Sequence, residues 1–349
     1  MSKIYANPFN WGESVSGNHY IARPEQQEHL NSAIEKQIHQ IIFGHRGTGK
    51  TSLVKQVLEK STTTSVYLDL RFIVSREGLI DLLLDTMENS LPPLKISGPL
   101  KSLRAQDYKL RIEEIFELWY ELLKQSNQKI CMAWDEVQQL VKLKEDITSE
   151  LRNSLGHKRG ITHLFISHRE DILRDIFEDK ANPFFAHCDF LAIANIDSSP
   201  FSRYLSTRFR RMGLSDFDLP ATVLKYTDGQ AQLTQKLSHS LAQLWLEGTT
   251  TRLMDRTLTK MLREHNILFT TMWDTFGLNE KRLLLGLSSG YSRPTELGFI
   301  RKFKLSATST AHNTVIKLLH EGWVINRDEG YHIYDPLFLS WLQQNKETA

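Results

Sequence analysis

Short apolar runs alternate with stretches of helical spacing along residues 25–193. The runs predict strands because each is too short for a typical helix and is bounded by turn residues. They lie at 38–43, 65–70, 129–134, 161–166 and 187–193. The intervening stretches predict helices over 25–37, 76–90, 107–125 and 148–155, and one more after Gly49. Strands that alternate with helices predict a parallel sheet with crossover helices, the α/β class.

From Ser199 onward the pattern becomes all-helical before a short hairpin ends it. Helical segments at 200–212, 220–228, 230–247 and 250–265 are divided by glycine or proline, and they predict a small lid. Beyond them, three helices and two strands around a turn at 328–330 predict a winged helix. The helices are expected at 279–287, 295–303 and 306–320, and the strands at 323–327 and 331–334.

These patterns divide the chain of 349 residues into three predicted domains. They are an α/β core over 1–199, a helical lid over 200–268 and a winged-helix domain over 269–349.

Composition narrows the class of protein. With 40% hydrophobic and 24% charged residues the sequence is typical of a globular protein, and its net charge of +2 gives no general attraction to nucleic acid. Its two cysteines, Cys131 and Cys188, lie in apolar runs and form no disulfide framework, which favours a reducing compartment. The sequence shows neither a run of 18 apolar residues nor an apolar signal core. We therefore expect a cytoplasmic protein with no membrane partner.

The first strand leads into an octet of the form G-x-x-x-x-G-K-[ST], the phosphate-binding loop or P-loop. Glycine lets a loop take strained turns and approach a phosphate closely, so that backbone N–H groups and the next helix point at the anion. Lys50 is predicted to reach the β- and γ-phosphates, and the Thr51 hydroxyl to hold Mg²⁺. The candidate nucleotide-binding residues here are Gly44, His45, Arg46, Gly47, Thr48, Gly49, Lys50, Thr51 and Ser52.

Two further strands end in polar pairs. Asp135 suits a direct or water-mediated Mg²⁺ ligand, and Glu136 suits a group that orients or deprotonates the attacking water; the alternative is a merely polar strand end. Ser167 and His168 could contact the γ-phosphate or that water, whereas Ser167 could also cap the next helix. Ligands bind beyond the carboxyl ends of parallel strands, so both pairs and the P-loop are predicted to meet at one edge. The candidate catalytic residues are Lys50, Asp135, Glu136, Ser167 and His168.

Two other groups of residues each allow two interpretations. Tyr20, Ile21 and Arg23 could form an adenine pocket, or they could belong to an N-terminal segment packed on the core. Four arginines on the first lid helix could supply an arginine finger across a subunit interface, or they could form a solvated basic face. They are Arg203, Arg208, Arg210 and Arg211.

The third helix of a winged helix enters the major groove in DNA-binding proteins. Its predicted exposed residues here are polar, but none is an arginine. Residues 266–349 hold nine Lys/Arg against eight Asp/Glu, a net of +1, whereas a dedicated DNA reader usually has a basic face. Duplex DNA and a protein surface both stay as candidate partners. The predicted exposed residues are Thr308, Ser309, His312, Asn313 and Lys317.

Taken in order, the segments NPF, GNHYIARPEQ, GHRGTGKTSL, VYLDL, CMAWDE and LFISH resemble the archaeal-type AAA ATPase family over nearly the whole chain. That family is similar to the STAND NTPases and to the origin-recognition initiator ATPases. The resemblance implies that the strand at 161–166 lies between the P-loop strand and the strand at 130–134. It also implies that residues 18–23 touch the adenine of ATP, and that Ser167 or His168 is the first sensor.

We therefore expect a P-loop NTPase sheet with a helical lid and a C-terminal winged helix, which binds ATP and Mg²⁺. The expected activity is slow ATP hydrolysis by in-line attack of water on the γ-phosphate. The expected role is that of a nucleotide-gated switch or assembly factor that regulates an unidentified partner protein, with a homo-oligomer as one form it could take. The alternative is an ATP-dependent DNA-binding protein, of the initiator or mobile-element helper type, that contacts duplex DNA through its winged helix.

Overall fold

A computed structural model describes residues 6–90, 103–104, 111–143, 147–154, 160–177 and 188–346. The chain forms two compact units: one spans Ser14–Ala194, and the other joins residues up to Glu13 to those from Asn195 onward. Parts of the predicted elements, at 107–110, 155 and 187, lie outside the described residues. The division into three domains stays a prediction.

The Ser14–Ala194 unit contains a five-stranded parallel sheet within its described ranges. Its strands are β1 (His39–Phe43), β2 (Thr64–Asp69), β3 (Ile130–Asp135), β4 (Ile161–Ser167) and β5 (Cys188–Ala192). Their spatial order is β2-β3-β4-β1-β5. The predicted α/β class is confirmed, as is the position of β4 between β1 and β3.

Helices connect these strands and cover both faces of the sheet. Ile42 of β1 packs in one layer with Leu53 and Val57, whereas Ile41 belongs to the layer on the opposite face. Both apolar layers are buried, which explains why the strands are apolar throughout. The helices are α1 (Pro24–Lys36), α2 (Lys50–Lys60), α3 (Arg76–Ser90), α4 (Ile112–Ser126), α5 (Ile147–Ser154) and α6 (Glu170–Phe177), with 3₁₀ helices at Gly17–His19 and Val137–Lys142.

Strand register fixes where the strands end. Asp69 lies opposite Asp135, and Phe43 lies opposite Ser167, so the ends of β1 to β4 form one edge of the sheet. The predicted convergence of polar residues on this edge therefore has its structural basis.

The second unit is largely helical and ends in a winged helix, as predicted. Phe9 packs into it, with its ring centroid 5.0 Å from that of Phe209. Its elements are α7 (Ser198–Arg211), α8 (Leu219–Thr227), α9 (Ala231–Leu246), α10 (Leu253–Thr275), α11 (Leu278–Ser288), α12 (Leu297–Lys302), α13 (Thr308–His320), β6 (Val324–Arg327), β7 (Gly330–Ile333) and α14 (Pro336–Asn345).

One helix of this unit is longer than predicted, and another was not predicted at all. The helix expected to end at 265 continues to Thr275, because no glycine or proline interrupts it before Gly277 and Phe269 extends its buried face. Helix α14 was missed, although Asp335 accepts hydrogen bonds from two N–H groups of its first turn and Pro336 begins it. Within the described part of the chain, no helix has the length and hydropathy to cross a membrane.

Candidate active site

The P-loop joins β1 to α2 through glycines that have positive φ angles. Gly44, Gly47 and Gly49 have φ of 149°, 77° and 93°, which side chains rarely allow. Gly49 is also the N-cap of α2, and the first turn of α2 contains no acidic residue. The N-terminal N–H groups and the helix dipole at this point therefore favour an anion.

Gly44 is required by a close approach of two backbone segments. A Cβ atom at this position would lie 2.3 Å from the carbonyl oxygen of Ile193. The Ile193 N–H in turn donates to the Phe43 carbonyl at 2.7 Å. The first residue of the P-loop is thus held against the chain that follows β5, and only glycine fits.

Lys50 lies under the loop and is only 8% exposed. Its ammonium donates to the carbonyl oxygens of Gly44 and His45, at 2.6 and 2.8 Å. Burial lowers the pKa of Lys50 to about 8, while the charges of Asp135 and Glu136 act in the opposite direction. The loop therefore holds a buried cation next to two carboxylates.

Asp135 is the point at which donors from three elements meet. Its Oδ2 accepts from the Thr51 hydroxyl at 2.7 Å and from the Tyr67 hydroxyl at 2.5 Å. Its Oδ1 accepts from the Glu136 N–H at 2.9 Å. The structure thus brings the two predicted Mg²⁺ ligands, Thr51 and Asp135, into direct contact. A carboxylate beside a hydroxyl is an oxygen donor set that suits Mg²⁺.

Glu136 is the N-cap of the 3₁₀ helix and has φ of 62°, a left-handed conformation that is uncommon for a residue with a side chain. Its Oε2 accepts from the side-chain amide of Gln138 and lies 3.4 Å from Nδ1 of His168. The hydrogen bond with His168, helped by that with Gln138, lowers the pKa of Glu136 to about 2, although burial opposes this shift. Glu136 is therefore ionised at neutral pH.

The contacts of Ser167 fit both of its predicted roles, the contact with the catalytic group and the cap of the next helix. Its hydroxyl donates to the side-chain carbonyl of Gln138 at 2.5 Å, and the amide nitrogen of the same Gln138 contacts Glu136. The same oxygen accepts from the Arg169 N–H at 2.9 Å, just before α6 begins. His168 joins the group through Gln138, whose amide nitrogen lies 3.3 Å from Nδ1.

The segment before β1 supports the P-loop. The Arg23 guanidinium is buried and donates to the carbonyls of Thr48 and Ala194, at 2.6 and 2.9 Å. Ile21 is buried, and Tyr20 packs on the α1–α2 layer, where burial raises the pKa of Tyr20 to about 12. These contacts are those of a packed segment, and the adenine contact stays a prediction.

The remaining P-loop residues make local contacts. The Ser52 hydroxyl accepts from the Val15 N–H at 3.1 Å, and the Thr48 hydroxyl donates to the His45 carbonyl at 3.0 Å. Burial, with the nearby Lys50 charge, lowers the pKa of His45, which keeps it neutral beside the loop.

Sequence reasoning missed Tyr67 and Gln138. Tyr67 pairs in register with Ala133, two residues before Asp135, so its side chain reaches Asp135 only because β2 and β3 are neighbours. Gln138 connects Glu136 with the end of β4. Tyr67 lies in the segment VYLDL and Gln138 lies just beyond CMAWDE, but neither segment gives the residue a role, and the strand order is what brings both to the site.

The candidate residues of the second unit lie on helices α7 and α13. Arg208 is half-buried, with its guanidinium 3.6 Å from the centroid of the Tyr204 ring, while the other three arginines of α7 are exposed. The predicted exposed positions on α13 are confirmed. They are Thr308, Ser309, His312, Asn313 and Lys317.

Comparison with known proteins identifies the family. Residues 23–237 match the model of an ATPase domain predominantly from Archaea, and residues 267–344 match a probable winged helix domain. The protein therefore belongs to this archaeal-type family of P-loop ATPases. No curated protein matches the chain.

Solved structures show the same fold. The Walker-type ATPase of Pyrococcus abyssi is 18% identical with a TM-score of 0.74, over 93% of this chain and 96% of that one. The ORC2 protein of Aeropyrum pernix, in ADPNP–ADP complexes, is 12% identical with a TM-score of 0.57, over 100% and 99%. The ORC1 protein of Aeropyrum pernix, in complex with DNA, is 13% identical with a TM-score of 0.53, over 95% and 94%.

Proposed function

We propose that this protein is a slow, Mg²⁺-dependent ATP hydrolase that acts as a nucleotide-gated switch or assembly factor on a partner protein in the cytoplasm. The observation that carries the proposal is the contact between Thr51 and Asp135 at 2.7 Å, beside the buried ammonium of Lys50. In phosphoryl transfer the protein mostly positions groups and stabilises charge, and these residues do both.

Each residue has a specific task in this proposal. Lys50 and the loop N–H groups bind the β- and γ-phosphates, and Thr51 and Asp135 hold Mg²⁺. The bound ion supplies neutralisation of the phosphate charge. Glu136 is ionised and orients the attacking water, and it accepts a proton from that water. In this proposal Ser167, which is linked to Glu136 through Gln138, and His168, whose Nδ1 lies 3.4 Å from Glu136 Oε2, contact the same water or the γ-phosphate.

The contacts of Lys50 and Asp135 within the protein support the switching part of this proposal. Lys50 donates to carbonyls of its own loop, and the Asp135 carboxylate accepts from three protein donors. Binding of Mg²⁺–ATP exchanges these contacts for new ones. A ligand shifts a conformational equilibrium only through such differential contacts.

The second candidate is ATP-dependent binding of duplex DNA, which the winged helix and the likeness to an initiator solved with DNA support. The wing argues for a protein partner instead. Its basic residue Arg327 forms an ion pair with Asp228, and its turn carries Asp328 and Glu329. Contacts with phosphates weaken steeply as salt increases, so salt-dependent binding of a duplex would favour the DNA role.

A binding measurement tests the nucleotide site. Lys50→Ala removes the buried cation, so we expect a large loss of ATP affinity with an unchanged circular dichroism spectrum. The matched control is Lys60→Ala at the exposed end of α2, which should bind ATP like the wild-type protein. Unchanged ATP binding in Lys50→Ala would contradict the proposal. The same samples, sized with and without ATP, would show whether ATP drives self-association.

A further inference from the structure

Gln138 connects three candidate residues through one side chain. It lies in the 3₁₀ helix that follows β3 and is 3% exposed. Its amide nitrogen donates to Oε2 of Glu136 and lies 3.3 Å from Nδ1 of His168. Its amide oxygen accepts from the Ser167 hydroxyl at 2.5 Å. Both ends of the amide are therefore engaged, one toward β3 and the other toward β4.

We propose that Gln138 is a positioning residue that orients the carboxylate of Glu136 and links its orientation to Ser167 and His168. The inference rests on the proposed function, in which Glu136 activates water. A primary amide can donate at one end and accept at the other, and this pattern matches the acceptor on Glu136 and the donor on Ser167. Neither a carboxylate nor an apolar side chain at position 138 could serve both partners.

The backbone of Glu136 makes such support necessary. Glu136 has a left-handed backbone just after β3, so regular strand geometry does not set the direction of its side chain. That direction depends on the contacts of the side chain itself. Besides Gln138, the carboxylate contacts Nδ1 of His168, at the longer distance of 3.4 Å. A misplacement of about 1 Å in a catalytic group can cost about 10²-fold in rate. Loss of Gln138 should therefore reduce kcat and leave ATP binding intact.

Two variants separate the two ends of the amide. Gln138→Met keeps the length and packing of the side chain but removes both hydrogen bonds, and Gln138→Glu keeps only an acceptor for Ser167. We expect kcat to fall about 10- to 100-fold in both variants, with the Kd for ATP within about twofold of wild type. The matched control is Gln139→Met, one position along the same 3₁₀ helix, which should keep wild-type kcat.

A double-mutant cycle tests whether Gln138 acts through Glu136. Single-turnover rates are measured for Glu136→Gln, for Gln138→Met and for the two combined. If Gln138 works by orienting the carboxylate, adding Gln138→Met to Glu136→Gln causes no further loss. An equal loss in both backgrounds would overturn the inference, because a general structural role would be additive.

Failure of this inference differs from failure of the proposed function. Wild-type kcat in Gln138→Met, beside slow turnover in Glu136→Gln, overturns the inference alone. Loss of ATP affinity together with a lower melting temperature in both Gln138 variants also overturns it, since Gln138 would then stabilise the fold. A wild-type protein that does not hydrolyse ATP overturns the proposed function, and the inference with it.

Discussion

The charged residues at the sheet edge of the Ser14–Ala194 unit differ in burial from two surface ion pairs of the other unit. In the Ser14–Ala194 unit, Arg23, Lys50 and Asp135 are each less than a tenth exposed. They are satisfied by backbone carbonyls, hydroxyls and N–H groups at the carboxyl edge of the sheet. In the other unit, the ion pairs Arg327–Asp228 and Arg293–Glu296 lie at the surface, with each side chain about half exposed or more.

The buried charges at the sheet edge suit a chemical role, whereas the exposed charges of the surface ion pairs face water. Burying a charge is costly unless it is paired or fully hydrogen-bonded, so a chain rarely keeps several at one edge without a functional reason. A surface ion pair contributes only about 0–1 kcal/mol. Substitutions at the sheet edge should therefore change activity strongly, and substitutions at the surface pairs should change little.

The largest effect is expected from Glu136→Gln. A positioned base contributes about 10²- to 10⁴-fold, so turnover should fall by that factor while Mg²⁺–ATP still binds. The variant should accumulate in the ATP-bound state, and any partner contact that requires ATP should persist longer. Turnover and bound nucleotide are measured side by side, with the exposed Glu121→Gln of α4 as control. Wild-type turnover in Glu136→Gln would show that this carboxylate is only a polar strand end.

Removal of a metal ligand should give the next largest effect. Thr51→Ala or Asp135→Ala should raise the Mg²⁺ concentration for half-maximal turnover by about 10-fold or more, since even residues behind a metal ligand affect metal affinity by about 10- to 100-fold. The defect should be greatest when Mg²⁺ is limiting, and a chelator should stop turnover in the wild-type protein. Turnover that does not depend on a divalent ion would refute both metal assignments.

The comparison also shows what the sequence could predict. The P-loop, Asp135 and Glu136 were identifiable because each comes directly after an apolar strand, so position along the chain implied position at the sheet edge. Tyr67 and Gln138 were not identifiable, because their contacts depend on strand order and register, which local patterns do not encode. The buried contacts of Arg23 with two backbone carbonyls could not be predicted either, because its sequence context allows both an adenine pocket and a packed segment and identifies no partner atoms.

In the second unit, the differences between prediction and structure concern where helices begin and end. The pattern of α10 continued past residue 265, but its remaining buried position, Phe269, is too isolated to show a helical period. Helix α14 has a recognisable start at Asp335 and Pro336, so the sequence was sufficient to predict it.

A substitution that alters the backbone tests the carboxyl edge of the sheet without changing its charged side chains. Gly44→Ala places a methyl group against the Ile193 carbonyl, at 2.3 Å, so the loop or the segment after β5 must shift. We expect a loss of about 1–3 kcal/mol in the free energy of unfolding, as for other overpacked sites, and weaker ATP binding. Denaturant unfolding should show a lower midpoint with an unchanged m-value.

Gly78→Ala in helix α3 is the control, because a methyl group there meets only Ser75 Oγ at 3.7 Å and should be tolerated. A Gly44→Ala protein as stable as wild type would mean that this close approach does not constrain the loop.

The smallest effect is expected at the surface pair that joins the wing to the turn after α8. Asp228 and Arg327 are each 47% exposed, so water and salt screen their attraction. A double-mutant cycle of Asp228→Asn and Arg327→Met should give a coupling energy below about 1 kcal/mol, which decreases further at high salt. Turnover of ATP should stay at the wild-type level in both single variants, because neither residue belongs to the candidate active site. A coupling energy of several kcal/mol that persists in high salt would contradict the distinction between the two units, since the second unit would then also depend on a strongly coupled charge.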